Sequence, residues 1–338
     1  MNKYTGLAAT TQTLSVAAVE EASRFSQRTA DLEHLFLALV LSDGDAGRVL
    51  RGMGITLERT RKAVVTLHSL QLATLGIDAE IPQSPISVPQ GSEGYELSPR
   101  VLKLFNGIAP SAGVDYSALV LKSVLSEPSG LIDELLNLLG TNSGEVGERL
   151  DEFAVVEKNE PEPETDSLVA STTSFVPGGV DDVWELLTDP SRMTEWGPSF
   201  GRVEWLGGAD EATPGDTWNG YLPEVGPDGK LLRIKPGAKR QVVELLERCD
   251  RERISWRFSY PDMPDSNTRR ISIVLNRAPG GTELNIETAW ERNLFVSQRT
   301  RIGRVLLAPA RPLMRLFHRW IVWTQVTQIG SSIGRVFR

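Results

Sequence analysis

A single cysteine, Cys249, stands in 338 residues. No disulfide can therefore form within the chain, and a reducing compartment is expected. Histidine is nearly as scarce. His34, His68 and His318 with that lone thiol cannot supply a zinc site, which wants roughly four Cys or His ligands. There is no His-Glu-x-x-His run and no EF-hand spacing, so neither a metal nor any other cofactor is expected. Long apolar runs are missing as well. The longest, Leu35 to Leu41, is far short of the roughly 20 residues of a membrane span. Met1 to Thr10 lacks the apolar core of a signal peptide. The chain reads as soluble and cytoplasmic. It also has no Walker A phosphate loop, which excludes a P-loop ATPase.

What is present suits about two domains at roughly 100–200 residues each. The composition, 40% apolar and 24% charged, is that of an ordinary globular protein. The net charge of −8 is concentrated in one place. Residues 151–167 hold Asp151, Glu152, Glu157, Glu160, Glu162, Glu164 and Asp166 against Lys158, so the rest of the chain is close to neutral. Such a segment cannot bury apolar surface and repels itself, which predicts an extended linker. Tryptophan marks the same boundary, because all eight lie between Trp184 and Trp323. We expect a domain at 1–152, a linker at 153–166 and a second domain at 167–338. A softer break falls at the proline-rich Ile81 to Gly94.

The first domain reads as all-helical. Apolar and charged residues alternate at helical spacing over Leu14–Phe25, Leu32–Leu41, Asp45–Gly52 and Leu57–Leu67, with Asp31 as an N-cap. The pattern then recurs. Asp115-Tyr116-Ser117-Ala118-Leu119 echoes Asp31-Leu32-Glu33-His34-Leu35, and Leu97-Ser98-Pro99 opens a helix like that at Leu14. An internal duplication follows, with repeats at about 5–80 and 95–152. Together with the helix start Glu33-His34-Leu35, this resembles the amino-terminal double repeat of the Clp unfoldases. That resemblance implies a compact helical domain that receives peptides, adaptors or peptide antibiotics, and partners among the Clp protease components. It makes Glu33 and Ser98 candidate peptide-binding residues. Repeat one, however, has Ala8 at the hydroxyl position, and repeat two has Ser117 where the family has glutamate. The alternative is that Glu33 and His34 cap and pack their own helix.

From Leu168 the pattern turns to strands. A strand over Leu168–Phe175 leads to a helix at Val180–Leu187 and a short one ending near Trp196. Strands follow at Arg202–Gly207, Asp216–Leu222, Gln241–Glu247, Arg253–Tyr260, Thr268–Asn276 and Thr282–Arg292. A helical tail, Val296–Phe337, closes the chain and is expected to break near Pro309 and Pro312. The order predicts an α+β domain in which a curved antiparallel sheet wraps the final helix. The run Val183-Trp184-Glu185-Leu186-Leu187-Thr188-Asp189-Pro190, with Glu195-Trp196, the Trp256 strand and the Gly280-Gly281-Thr282-Glu283 turn, resembles the START-like (SRPBCC, polyketide cyclase/dehydratase) superfamily. The resemblance implies a helix-grip fold with a cavity for a lipid or polyketide.

Alternation places Ile254, Trp256, Phe258 and Tyr260 on one strand face. Trp290 joins them, with Trp218 or Tyr221, as candidates to line an aromatic cavity. The alternative is that they simply fill the core. Glu283, Glu287 and Glu291 fall on the face opposite Ile286 and Trp290 and read as solvated. His318 lies on the tail beside Arg315 and Arg319 and reads as surface or packing. No nucleophile elbow and no inward carboxylate pair occurs, so no catalytic residue is expected. The insert Pro223–Lys235 reads as a lip. Beyond Glu291 the chain has no acid, and Arg311, Arg315 and Arg319 form a basic stripe beside Leu313, Leu316, Phe317, Trp320 and Trp323. This amphipathic tail could touch an anionic membrane surface or cover the sheet. Nucleic acid is not an expected partner.

Taken together, the sequence and its resemblances point to a non-enzymatic binding protein that pairs a Clp-type peptide-, adaptor- or antibiotic-binding domain with a pocket for a hydrophobic small molecule, a lipid or polyketide. A polyketide cyclase/dehydratase enzyme and a pure protein-interaction module of the Clp system are the alternatives.

Overall fold

The computed structural model describes residues 3–77, 94–109, 114–157, 169–197, 200–205, 212–225, 229–263, 266–291 and 311–338. The side chains at 3–5, 155–157, 205, 236, 291 and 311–323 lie outside that description. The chain divides into two compact units, Met1–Glu162 and Pro163–Arg338.

The first unit holds eight helices among its described residues: α1 (Lys3–Arg24), α2 (Leu32–Leu41), α3 (Asp45–Gly52), α4 (Leu57–Thr74), α5 (Pro99–Gly107), α6 (Tyr116–Leu125), α7 (Leu131–Leu139) and α8 (Ser143–Glu157). Two-residue strands β1 (Thr29–Ala30) and β2 (Glu96–Leu97) pair in parallel and bring the starts of α2 and α5 together. Helix α2 is buried along its whole length, as expected of a helix that is apolar all round. The other helices wrap it and share one core, from Leu14 through Leu150. Polar ties fix the wrapping. Arg61 on α4 makes a two-pronged pair with the fully buried Glu21 on α1, at 2.6 and 2.9 Å. Buried Arg51 donates to the carbonyls of Val40 and Ser42 at 2.6 and 2.9 Å, satisfying the open end of α2.

Two sequence expectations change here. Helix α1 starts at Lys3, well ahead of Leu14, and the hydroxyls of Thr13 and Ser15 donate back to the carbonyls of Ala9 and Thr11 at 3.0 and 2.7 Å. Helix α8 runs to Glu157, so the stretch from Asp151 is helical where an extended linker was expected. Acidic residues spaced along an exposed helix face are tolerated as readily as in a coil, and Asp151 pairs with Lys122 at 2.5 Å. The remainder of the expected linker, from Lys158 to Ser167, lies outside the described residues, as does most of the proline-rich break.

The second unit is a seven-stranded antiparallel sheet with helices on one face. Its strands are β3 (Val169–Val176), β4 (Arg202–Trp205), β5 (Thr217–Tyr221), β6 (Arg240–Cys249), β7 (Arg253–Ser259), β8 (Thr268–Ala278) and β9 (Gly281–Glu291). The spatial order is β3-β9-β8-β7-β6-β5-β4, so the first strand returns to pair with the last. Between β3 and β4 lie α9 (Val180–Thr188) and α10 (Met193–Trp196), and the chain ends in α11 (Arg311–Val336). Helix α11 carries Pro312 in its first turn, where a missing N–H costs nothing. The expected tail from Val296 to Ala310 lies outside the described residues, and so do the side chains of the arginine and aromatic stripes and of His318.

Val326, Ile329 and Ile333 of α11 pack into one core with Val183, Trp184, Leu186 and Leu187 of α9 and the facing side chains of the sheet. The approach is close. A Cβ at Gly330 would lie 2.7 Å from Ser174 on β3 and 3.3 Å from Ile286 on β9. Glycine is needed there because the helix backbone rests directly on two strands. Among the described residues, no helix is long and apolar enough to cross a membrane.

Candidate ligand-binding face

Alternation and register decide which side chains meet on the helix-facing side of the sheet. Val243 pairs with Phe258 and Leu245 with Trp256 between β6 and β7. Across β7 and β8, Trp256 stands opposite Ile271 and Phe258 opposite Arg269. Across β8 and β9, Ile271 stands opposite Thr288 and Arg269 opposite Trp290. Two rows therefore cross three strands: Phe258, Arg269, Trp290, and beside them Trp256, Ile271, Thr288. Trp218 on β5 meets the edge of Trp256 with ring centroids 5.5 Å apart, and Phe200 meets Phe258 at 5.6 Å. Gly220 gives Phe200 its place, since a Cβ there would lie 2.4 Å from the ring. Tyr260, just past β7, accepts a hydrogen bond on its hydroxyl from buried Gln241 at 2.9 Å.

The structure thus brings together Trp218, Trp256, Phe258, Tyr260 and Trp290. Tyr221 is a correction. It lies three residues from Trp218 and so on the opposite face, where the Arg202 guanidinium sits 4.7 Å from its ring centre. A side-chain period of two forbids both residues from lining one cavity.

Sequence reasoning missed the polar members of this face. The Arg269 guanidinium lies 4.9 Å from the centre of the Phe258 ring, and no described carboxylate forms an ion pair with it. Burial pushes its pKa below the ordinary guanidinium value, opposed by the Tyr260 side chain. Among the described residues, buried Thr288 has no partner for its hydroxyl, and the buried indole N–H groups of Trp256 and Trp290 have no acceptor. Each such group costs about 1–3 kcal/mol when nothing satisfies it. Counting by twos back from Ile271 and forward from Ile286 would have found Arg269 and Thr288.

The opposite face behaves differently. A trough of about 670 Å³ there is lined by Ser255, Ser272, Glu247, Arg253, Arg270 and Glu287, among others. These groups pair with one another: Arg253 with Glu247 and Arg270 with Glu287 at 3.6 Å, Ser255 with Ser272 at 2.9 Å. Glu287 is thereby on the outer face, as expected, and Glu283 shares it by alternation. The side chain of Glu291 is outside the described residues. Self-paired charge at a surface is solvated decoration, whereas unpaired donors in an aromatic interior call for an acceptor.

The insert Pro223–Lys235 forms a small antiparallel bridge, Val225 to Leu231, with Leu231 exposed. Residues 226–228 of this insert lie outside the described residues.

In the helical unit, Glu33 and Ser98 are both buried and both have internal partners. Glu33 Oε1 lies 3.5 Å from His68 Nε2 and 3.6 Å from His34 Nδ1. The rings of His34 and His68 surround Phe25, at 5.6 and 6.4 Å. Burial works to raise the Glu33 pKa, but the His68 hydrogen bond and the two histidine charges hold it below its ordinary value. Burial lowers His34, with the Glu33 charge opposing. Ser98 Oγ accepts from Val101 N at 3.2 Å, capping α5, and donates to Asp31 Oδ1 at 2.6 Å. Ser117 Oγ accepts from Ala46 N at 3.1 Å, at the start of α3. Among the described residues, no group of three or more His, Cys, Asp or Glu side chains could hold a metal ion.

Residues 168–314 match the family described as "Polyketide cyclase / dehydrase and lipid transport". No curated protein matches the chain. Among solved structures, the chain is similar to protein CV1439 from Chromobacterium violaceum, at 14% identity over 50% of this chain and 99% of that one, with a TM-score of 0.31. It is also similar to protein Ms6760 from Mycobacterium smegmatis, at 14% identity over 53% and 96%, TM-score 0.33. DynU16, a protein in the dynemicin biosynthetic locus, shares 18% identity over 46% of each chain, TM-score 0.26. Over residues 168–314, then, the second unit is similar to the family of polyketide cyclases, dehydrases and lipid-transport proteins.

Proposed function

We propose that this chain is a binding protein whose sheet unit takes up an apolar small molecule, a lipid or polyketide, against the face built from Trp218, Trp256, Phe258, Tyr260 and Trp290. The observation that carries the reading is the aromatic interior whose buried indole and hydroxyl donors have no acceptors among the described residues. A core built only for stability fills such positions with groups that need no partner. The family description, which includes lipid transport, agrees with it. The test is native mass spectrometry of the full chain purified from its own host, followed by titration of the emptied protein with 2-naphthalenemethanol. A stoichiometric small molecule of discrete mass, or saturable quenching of tryptophan by the probe, supports the reading. An empty chain that also ignores the probe overturns it.

The second reading, a cyclase or dehydratase, draws on the same family description. Conversion of a polyketone by the full chain, lost in Tyr260→Phe, would favour it over simple carriage.

For the helical unit we infer a receiver of peptides, or of an adaptor of the Clp system. Support comes from the two successive sets of four helices and from the resemblance noted in the sequence. With Glu33 and Ser98 engaged internally, such a partner would use other, exposed positions. Calorimetric titration of the full chain with a purified Clp unfoldase and with the Clp peptidase tests this. Heat of binding with either supports it, and silence with both overturns it.

A further inference from the structure

We propose that the insert and its return, residues 223–239, dock the sheet unit on an anionic lipid surface. Its two leucines enter the bilayer interface and the cations beside them meet the headgroups. The inference does not depend on whether the inner face of the sheet holds a ligand.

The insert leaves the sheet between β5 and β6 and is tied down at its base. Leu222 N donates to the Lys239 carbonyl at 3.1 Å, and Arg240 makes a two-pronged pair with Asp262 at 3.0 and 3.2 Å. Further out, Val225 and Leu231 stand opposite each other in the antiparallel bridge, and Leu232 N donates to the Glu224 carbonyl at 2.9 Å. Here the apolar side chains face outward. Leu231 is 80% exposed, Val225 47% and Leu232 45%, and none of the three joins the core of the sheet unit. A scattered exposed leucine needs no explanation, but three apolar neighbours on one hairpin make a patch.

Charge surrounds that patch with one sign. From Gly229 to Lys239 the chain has four cations, Lys230, Arg233, Lys235 and Lys239, and no acid. All four are exposed, and Lys230 and Arg233 directly bracket the leucine pair. Only Glu224 and Asp228 oppose them, which leaves the insert at +2 in a chain of −8. The distant acids do not cancel this attraction, because salt screens charges beyond about 8–10 Å. Size then selects the occupant. A stable protein interface engages roughly 20–30 residues a side, far more than this hairpin offers. A fluid bilayer needs no matching shape, so a small tip suffices. The leucines leave water for the interface while the ammonium and guanidinium groups stay at headgroup level. Each cation held near an anionic surface adds roughly fivefold in affinity. Single-stranded nucleic acid would call for rings on which bases stack, and residues 223–239 include no aromatic.

The test is co-sedimentation of the full chain with vesicles of phosphatidylcholine alone, and of phosphatidylcholine and phosphatidylglycerol at about two to one, in low and in high salt. In low salt the anionic vesicles should bind about tenfold more tightly or better, and high salt should abolish the difference. Leu231→Ser with Leu232→Ser should lower affinity for the anionic vesicles about tenfold or more. Arg233→Gln with Lys235→Gln should lower it roughly twentyfold in low salt. These side chains are exposed, so both variants should melt with the parent. Arg315→Gln with Arg319→Gln, in the basic stripe of α11, should leave binding within about twofold. Equal binding to the two vesicles, no binding to either, or binding that survives both insert variants overturns the proposal. Binding lost in the α11 variant alone also overturns it, in favour of the tail. None of these outcomes touches the uptake of an apolar probe by the inner face.

Discussion

Gly330→Ala provides a test of packing in which two effects of opposite sign compete. In an open helix interior this substitution stabilises by about 1 kcal/mol, because alanine restricts the unfolded backbone. At position 330 the new methyl would sit 2.7 Å from Ser174 Cβ and 3.3 Å from Ile286 Cδ1. Carbon atoms in contact prefer about 3.5–4.0 Å, so roughly 1 Å must be found. The Ser174 Cβ is fixed to a strand backbone and cannot rotate away. Helix α11 must therefore lift from β3 and β9, loosening the contacts of Val326, Ile329 and Ile333. Overpacking of this kind costs about 1–3 kcal/mol, so after the propensity gain of about 1 kcal/mol the net expectation runs from no gain to a loss of about 2 kcal/mol. The assay is urea unfolding followed by tryptophan fluorescence, which reports on the second unit alone because all eight tryptophans lie there. Gly147 on α8 is the control: its Cβ would meet nothing within 4 Å. Gly147→Ala should raise stability by about 0.5–1 kcal/mol, read by circular dichroism through the helical unit's own transition. A Gly330→Ala protein more stable than the parent by the full propensity gain of about 1 kcal/mol would refute the close seating of α11 on the sheet.

Ser98→Ala removes both the cap of α5 and the bond to Asp31, and should destabilise the helical unit by about 1–2 kcal/mol, measured by denaturant midpoint. Acidification should weaken the same unit. The His34 pKa is lowered in the fold, so below its ordinary value near 6.5 the unfolded chain binds more protons and stability falls. The depressed Glu33 adds a further loss as the pH drops through its own folded value. His34→Leu should flatten the slope of unfolding midpoint against pH between 7 and 5, and an unchanged slope would refute the assignment. Tyr221→Ala, on the outer face, should leave 2-naphthalenemethanol affinity within twofold of the parent, whereas Phe258→Ala should lower it severalfold; fluorescence titration separates the two.

What the sequence determined alone was whatever depends on local period and composition. Alternation in Ile254-Ser255-Trp256-Arg257-Phe258 marks an inner and an outer face before any strand is paired; α2 follows from its Asp31 cap and apolar spacing, and α3 and α9 from apolar spacing. Acid runs and tryptophan usage change near the point where the chain divides into Met1–Glu162 and Pro163–Arg338. What only the tertiary structure decided depends on register between strands distant in the chain. Whether Arg269 ends a strand in solvent or stands in the aromatic interior is settled by its pairing with Phe258 on one side and Trp290 on the other. Likewise Glu33 and Ser98 carry residue types suited to a ligand, yet the packing of α4 brings His68 to one and the β1–β2 pairing brings Asp31 to the other. A residue's chemistry is written in the sequence. Whether that chemistry is already spent on an internal partner or left for a ligand is a property of neighbours that only folding brings within hydrogen-bond distance.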